Sequence, residues 1–234
     1  MTKTEKFTAI VLAAGSGKRM NSKVHKQYLT VAGKPVLYYA LRAFEQSEVS
    51  EIVLVTGAGE EAYCRKEIIE KYGLKKVAAV VPGGRERYHS VYEGLCAARG
   101  ADYVLIHDGA RPMVDEDIIR RSMEAVKRYG ACAAGMPVKD TIKLSDEEGF
   151  AEQTPERSRL WQIQTPQSFS YPLILGAYQK MLLNEDDAIT DDAMVVERMT
   201  EQKVKLIEGS YRNIKITTPD DLVVAEAYLQ SASL

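Results

Sequence analysis

Apolar and polar positions along this chain form short β-branched runs separated by longer stretches of helical spacing. The runs predict strands at 7–13, 52–56, 77–81, 103–107 and 131–137, with later ones near 141–144 and 203–208. The stretches between them predict helices at 34–47, 60–72, 87–99, 115–129, 171–183, 191–199 and 219–230. Such alternation argues for right-handed βαβ units and an α/β fold with a wound, largely parallel sheet. Ile10-Val11-Leu12 and Val104-Leu105-Ile106 are apolar without alternation, as strands covered by helices on both faces are. Thr218-Pro219-Asp220-Asp221 places a hydroxyl at an N-cap, proline at N1 and an acid at N3. Asp115 and Thr190 read as further N-caps, and Gly73, Gly100 and Gly130 fall just past helix ends.

The alternation breaks between Val138 and Gln164. Lys139 to Leu144 reads as a strand and Ser145 to Gly149 as a turn. Phe150 to Thr154 and Leu160 to Ile163 look extended again. A hairpin projecting from a wound sheet has open edges, which proteins normally cover. Either a second copy pairs with it, or it folds back on its own domain.

At 234 residues the chain suits one α/β domain spanning 1–234, with a β-arm at about 138–164. The formal net charge of −2 gives no bulk attraction to nucleic acid or to a membrane surface. A phosphate site must therefore come from local clustering. Cys64, Cys96 and Cys132 are scattered, odd in number and without metal-ligand spacing, as reduced thiols of a cytoplasmic protein would be. The charged Met1–Lys6 segment leads into only a short apolar run, unlike a signal peptide. No apolar stretch approaches the roughly 20 residues that span a bilayer.

The chemistry concentrates in Ala13-Ala14-Gly15-Ser16-Gly17-Lys18-Arg19-Met20, followed by Lys26-Gln27-Tyr28-Leu29. Small residues after a buried strand let backbone N–H groups cradle anionic oxygens. Lys18, Arg19, Lys23 and Lys26 add positive charge, a combination fitting a bound triphosphate attacked at phosphorus. A Walker A loop is excluded, because Leu12 stands where its first Gly belongs and Arg19 where its hydroxyl belongs. A dinucleotide fingerprint is excluded by Met20 in place of the third Gly and by the absence of an acid after the second strand. The plain alternative is a glycine turn with an exposed basic face.

Ligands of open α/β sheets bind beyond the carboxyl ends of the strands. After the third strand, Pro82-Gly83-Gly84-Arg85-Glu86-Arg87-Tyr88-His89-Ser90 is a second glycine turn that could read a base edge or simply start a helix. After the fourth, His107-Asp108-Gly109-Ala110-Arg111-Pro112 offers Asp108 as an Mg²⁺ ligand or as a turn cap. His107 reads as a packed polar residue, and His25 and His89 have no partner at ligand spacing. In Arg212–Thr217, Asn213, Lys215 and Thr217 share one face, with Lys215 pointing into a cleft or into solvent. Thr190-Asp191-Asp192 touches substrate or caps its helix, capping being favoured for the two acids.

The pieces AAGSGKRM, KQYL, PGGRERYHSV, HDGARP, PVKDTIK, LWQIQTPQSF, TDDA and NIKITTPDDL, in this order from about Thr8 to Leu229, resemble the 2-C-methyl-D-erythritol 4-phosphate cytidylyltransferases of the non-mevalonate isoprenoid pathway. The resemblance implies a Rossmann-like sheet of the nucleotide-diphospho-sugar transferase kind and a β-arm interlocking a homodimer. It implies CMP transfer from CTP to 2-C-methyl-D-erythritol 4-phosphate with Mg²⁺. By motif, Arg19 and Lys26 contact the triphosphate and Lys215 helps from the opposite side. Ala13, Ala14, Gly15, Ser16, Gly17, Gly84, Arg87 and Ser90 hold the nucleotide, and Asp108 the metal and the ribose region. Asp140, Thr141, Arg157, Thr165 and Thr190 bind the alcohol phosphate, some across the dimer; the arm register decides between Arg157 and Arg159, and the distance to Leu160-Trp161 favours Arg157. Arg85 stands where some members carry an acid. Ribitol-5-phosphate cytidylyltransferases share the first loop, TPQSF and NIKITTP; PVKDTIK and LWQIQTPQSF favour methylerythritol. A nucleotide-binding regulatory module of the same fold is opposed by the intact Arg19, Lys26, Asp108 and Lys215.

Overall fold

The computed structural model describes residues 4–15, 25–183 and 188–231. In chain order, strand β1 (Phe7–Ala13) leads to a 3-10 turn at Lys26–Tyr28 and a small hairpin of β2 (Thr30–Val31) and β3 (Lys34–Pro35). Helix α1 (Val36–Gln46), β4 (Glu51–Thr56) and α2 (Glu61–Tyr63) follow, α2 continuing as a π-helical stretch at Cys64–Glu70. Then come β5 (Val77–Pro82), α3 (Arg87–Ala97), β6 (Tyr103–Asp108), α4 (Glu116–Tyr129) and β7 (Ala131–Pro137). The arm hairpin is β8 (Leu144–Ser145) and β9 (Ala151–Gln153). After it run β10 (Trp161–Ser170), α5 (Tyr171–Met181), α6 (Asp192–Met199), β11 (Lys205–Glu208) and α7 (Pro219–Ser231).

Among the described residues, seven strands form one sheet in the order β11-β7-β10-β6-β1-β4-β5. Every pairing is parallel except those of β10, which is antiparallel to both β6 and β7. Period-two geometry sends alternate residues of each strand to opposite faces. Ala9, Val11, Ile52, Leu54 and Leu105 pack beneath α1, α2 and α4. Ile10, Val53, Val55, Val104 and Ile106 pack beneath α3, α5 and α6. Both faces are thus dry, which is why the strand runs read as continuously apolar. Gly94 lets α3 sit close to the sheet: a Cβ there would lie 2.5 Å from Ile10 Cγ2 and 3.1 Å from Val55 Cγ2. That close seat brings the start of α3 over the carboxyl ends of the central strands.

Three sequence expectations are corrected. Helix α1 starts at Val36, not at 34, because Lys34 and Pro35 pair with Thr30 and Val31. The strand expected near 141–144 is confined to Leu144–Ser145, in an arm exposed to solvent over 139–154. The extended piece at Leu160–Ile163 grows into β10, a ten-residue strand inserted into the middle of the sheet. Its second half, Gln164-Thr165-Pro166-Gln167-Ser168, is too polar to read as buried strand, yet all five residues are buried, the four polar ones at 6% exposure or less. The pairing with β7 shifts register between Ile163 and Gln167, which accommodates a proline that lacks a ladder donor.

Beyond α1 the helix starts follow the sequence, but two residues expected to cap α6, Thr190 and Asp192, do not; the Asp192 carboxylate binds Arg87 and Tyr178 instead. Asp115 Oδ1 accepts from Ile118 N at 2.8 Å, and Asp221 Oδ2 accepts from both Thr217 N and Thr218 N at 2.8 Å. At α6 the N-cap is Asp191, whose Oδ1 accepts from Met194 N at 2.8 Å; Thr190 lies one residue outside and is exposed. A carboxylate at the helix start is the stronger acceptor, so it takes the orphan N–H.

Candidate active site

Strand β1 has β4 on one side and β6 on the other, so the connections diverge at the carboxyl ends of β1 and β6. That switch point is where a wound sheet leaves a crevice. A cleft of about 520 Å³ opens there, lined by Leu12–Gly15 at the end of β1, Asp108 and Ala110 at the end of β6, Gly84–Arg87 and Ser90 at the start of α3, and Lys26, Gln27, Lys215 and Thr217.

At its floor Asp108, 8% exposed, sits among three cations. Its Oδ2 lies 2.8 Å from Lys215 Nζ and 3.6 Å from Arg111 Nε, and its Oδ1 lies 3.7 Å from Arg87 Nε. Burial alone would raise this carboxyl, but Lys215, Arg87 and Arg111 outweigh it and hold the group well below the usual carboxylate range. Asp108 is therefore a fixed anion at neutral pH. Arg87 is itself gripped by the fully buried Asp192, Nη1 to Oδ1 at 2.8 Å and Nη2 to Oδ2 at 2.7 Å. Tyr178 donates its hydroxyl to the same Oδ1 at 2.6 Å.

Beneath Asp108 runs a buried hydrogen-bond chain. Asp108 N–H donates to Thr165 Oγ1 at 3.1 Å, and Thr165 Oγ1 lies 3.0 Å from His107 Nδ1. His107 Nε2 lies 3.2 Å from the Arg111 carbonyl, which only accepts, so Nε2 carries the proton and Nδ1 accepts from Thr165. Burial pushes the His107 imidazole down to about 4, so it is neutral. Asn213, fully buried, donates from Nδ2 to the Thr165 carbonyl at 2.8 Å, while its backbone carbonyl accepts from Arg111 Nη1 at 2.9 Å.

The second wall carries Lys26. Its Nζ donates to the Ile216 carbonyl at 2.9 Å, bonding the Lys26 turn to the segment that holds Lys215. Ile216 N donates to the Ala110 carbonyl at 2.8 Å and fixes that segment against the end of β6. Gln27, 2% exposed, donates from Nε2 to the Ala13 carbonyl.

The structure thus brings Ala13, Ala14, Gly15, Gly84, Arg87, Ser90, Asp108, Lys26 and Lys215 to one cleft. Ser90 is turned inward: its Oγ accepts from Gly84 N at 3.2 Å and shapes the glycine turn. Thr165 lies under the floor rather than on its surface, 3% exposed. Asp140, Thr141 and Arg157 are exposed on the arm, with Arg157 Nη1 donating to the Lys139 carbonyl at 3.1 Å. They do not line this chain's cleft. Thr190 is exposed beside α6 and does not line it either. Ser16, Gly17 and Arg19 lie outside the described residues. Sequence reasoning assigned no role to Arg111 or Gln27, and weighed only capping or substrate contact for Asp192, not its grip on Arg87. The three-residue spacing from Asp108 to Arg111 and the Lys26-Gln27 adjacency were the available signals.

The model of the IspD family, 2-C-methyl-D-erythritol 4-phosphate cytidylyltransferase, matches residues 7–231. The chain belongs to the IspD family. A 2-C-methyl-D-erythritol 4-phosphate cytidylyltransferase of Lachnoclostridium phytofermentans is 49% identical over 226 residues, 97% of this chain and 97% of that protein. The protein of the same name from Alkaliphilus oremlandii is 48% identical over 99% of this chain and 98% of its own length. Among solved structures, a 4-diphosphocytidyl-2C-methyl-D-erythritol synthase from Anaerococcus prevotii is 36% identical with a TM-score of 0.85, covering 97% of this chain and 96% of that one. The Thermus thermophilus cytidylyltransferase is 31% identical with a TM-score of 0.77, over 94% of this chain and 98% of that one. The IspD relationship therefore spans the cleft, the arm and the carboxyl-terminal segment together.

Proposed function

We propose that this IspD family member transfers CMP from CTP to 2-C-methyl-D-erythritol 4-phosphate, using the cleft at the ends of β1 and β6. The observation that carries the site is the Asp108 carboxylate held among Lys215, Arg87 and Arg111 at the switch point of the sheet. A phosphate oxygen of the alcohol phosphate attacks the α-phosphorus of CTP. One O–P bond forms, the bond to the β-phosphate oxygen breaks, and pyrophosphate leaves.

The attacking phosphate is already anionic, so no general base is needed. His107 is buried with both ring nitrogens engaged, and Asp108 stays ionised, which agrees with a reaction without one. Catalysis is then positioning and charge stabilisation. Lys26 and Lys215 carry the charge that gathers on the phosphoryl oxygens, joined by Arg19. The β1 end at Ala13–Gly15 lies on the triphosphate side of the cleft, and Gly84, Arg87 and Ser90 form the wall toward the base and ribose.

Magnesium fits this floor. Mg²⁺ takes one or two carboxylates and completes its shell with phosphates and water. Asp108 supplies an ionised carboxylate whose Oδ1 is 3.7 Å from Arg87, too long for a hydrogen bond. No group of three acidic, histidine or cysteine side chains gathers among the described residues, so Asp108 would be the protein's single carboxylate on the ion, with phosphates and water filling the rest of its shell. When bound, Mg²⁺ would neutralise polyphosphate charge at Asp108.

The exposed arm acts between two copies. Ile142, Leu144 and Phe150 are 39%, 48% and 68% exposed, an apolar strip that a homodimer partner covers. Asp140, Thr141 and Arg157 then reach the partner's cleft, where Arg157 meets the alcohol phosphate; Thr190, outside this chain's cleft lining, joins them in binding it, and Thr165 supports the floor from below. The chain is read as a cytoplasmic enzyme, in keeping with three unpaired thiols. No helix among the described residues is long and apolar enough to cross a membrane.

The test is pyrophosphate release from CTP and Mg²⁺ with methylerythritol phosphate and ribitol 5-phosphate in parallel. Release with the first and loss of it in Lys26→Ala and Lys215→Ala is expected. Release with ribitol phosphate alone would overturn the substrate assignment and leave the phosphate site standing.

A further inference from the structure

The turn that carries Lys26 is gripped from outside the cleft by a residue that none of the site motifs contains. Glu60 stands at the N-cap position of α2, where an acid ordinarily caps helix N–H groups, yet its side chain caps none. Its carboxylate reaches back instead. Oε1 lies 2.7 Å from His25 Nδ1, and Oε2 accepts from Tyr28 Oη at 2.8 Å and from Gly57 N at 3.2 Å. His25 and Tyr28 are the residues on either side of Lys26-Gln27, so a single carboxylate contacts both ends of the turn, by a hydrogen bond at Tyr28 and a close approach at His25.

The surroundings are built around this grip. Position 57 is glycine, and a Cβ there would lie 2.6 Å from Glu60 Oε2, in the space the carboxylate uses. Tyr28 Oη also contacts Cys64 Sγ at 3.1 Å, at the first residue of the π-helical stretch. Burial raises the Cys64 thiol to about 11, so it stays protonated and donates to Tyr28, which donates on to Glu60. The Tyr28 ring packs edge-on against Tyr63 at 5.0 Å. Gln27, between the two gripped residues, is tied to the end of β1. With these points held, the turn places Lys26 where its Nζ reaches the Ile216 carbonyl at the cleft.

We infer that Glu60 is a positioning residue for the reaction, acting through His25 and Tyr28 to aim Lys26 at the triphosphate. This rests on Lys26 being the cation proposed above. Misplacing a charge by an ångström costs up to ~100-fold in rate.

The test compares Glu60→Gln, Tyr28→Phe and Gly57→Ala with Lys26→Ala and with the Glu60→Gln/Lys26→Ala double variant. Gly57→Ala displaces the carboxylate without removing it, and Tyr28→Phe removes one of its three partners, so neither depends on Glu60→Gln folding well. Kcat and KM for CTP are read alongside active-site concentration from calorimetric CTP titration. The expected result is a fall in kcat/KM for CTP of about 10- to 100-fold in Glu60→Gln, with smaller falls in the other two. Glu60→Gln should add nothing in the Lys26→Ala background. Wild-type activity in all three single variants, or losses that multiply in the double variant, would overturn the inference while leaving Lys26 in place. A fully active Lys26→Ala would instead remove the cation on which both readings depend.

Discussion

Lys215 Nζ lies 2.8 Å from Asp108 Oδ2, so the strand-end carboxylate and the late-chain cation, more than a hundred residues apart in sequence, meet at the floor of one cleft. The pair is only partly shielded, with the Lys215 side chain 37% exposed and that of Asp108 11%. Lys215 is therefore reachable by an incoming phosphate while its partner stays fixed. Asp108→Asn and Lys215→Ala should each lower kcat/KM by ~10²- to 10³-fold, the scale of losing one preorganised charge partner. Steady-state pyrophosphate release, with circular dichroism as a control for folding, checks this.

Arg87 and Asp192 join α3 to α6 beneath the same cleft. Asp192 is fully buried and the Arg87 side chain 30% exposed, so removing the acid strands a largely desolvated guanidinium. Asp192→Asn should cost about 3 kcal/mol or more of stability, as breaking a buried pair does. Urea unfolding monitored through Trp161 gives the value. An unchanged midpoint would mean that Arg87 finds water instead.

His107 links stability to pH. Its imidazole is held neutral by burial, down to about 4 from the ordinary 6.5. Below 6.5 the unfolded chain takes up a proton that the folded one refuses, so stability is full above 6.5 and falls as the pH drops toward 4. The loss across that window is of order 3 kcal/mol as an upper limit. Unfolding midpoints between pH 4 and 7.5 should slope accordingly. His107→Leu, though less stable, should show a flatter slope.

Gly94 decides how closely α3 approaches the sheet. Gly94→Ala drives a methyl into Ile10 and Val55, and overpacking of this kind costs ~1–3 kcal/mol. Because α3 also carries Arg87 and Ser90, the KM for CTP should rise as well. A variant as stable as the parent, with an unchanged KM, would show that the helix slides without cost.

The arm offers a test of assembly. Phe150, 68% exposed, is the most open apolar side chain of the hairpin. Phe150→Glu should convert a dimer to monomers in light scattering coupled to size exclusion. Activity should fall with it, because Arg157 would no longer reach a neighbouring cleft. A monomeric parent protein would refute the arm's role outright.

Strand and helix positions followed from periodicity wherever the chain buries apolar residues on a regular face. The first strand spans Phe7–Ala13 as expected, and α4, capped by Asp115 and ended at Gly130, lies one residue from its forecast start. Cleft residues at strand ends were legible for the same reason: once β1 and β6 are placed, Ala13–Gly15 and Asp108 can only lie at their carboxyl ends. The polar half of β10 was not legible, because Gln164, Thr165 and Gln167 are buried by partners distant in sequence. Gln167 by itself bonds Asp191, the N-cap of α6, and Ala193 in its first turn.

Local order is thus written into the sequence, since hydrophobic spacing, caps and glycine turns act between neighbours. The motif order was also enough to point to the family and its chemistry. Tertiary structure alone decided which charges face one another: Lys215 on Asp108, Asp192 on Arg87, Glu60 around the Lys26 turn. Those pairings depend on distance in space, and electrostatic and hydrogen-bond energies fall off within a few ångströms, so no reading along the chain could have assigned them.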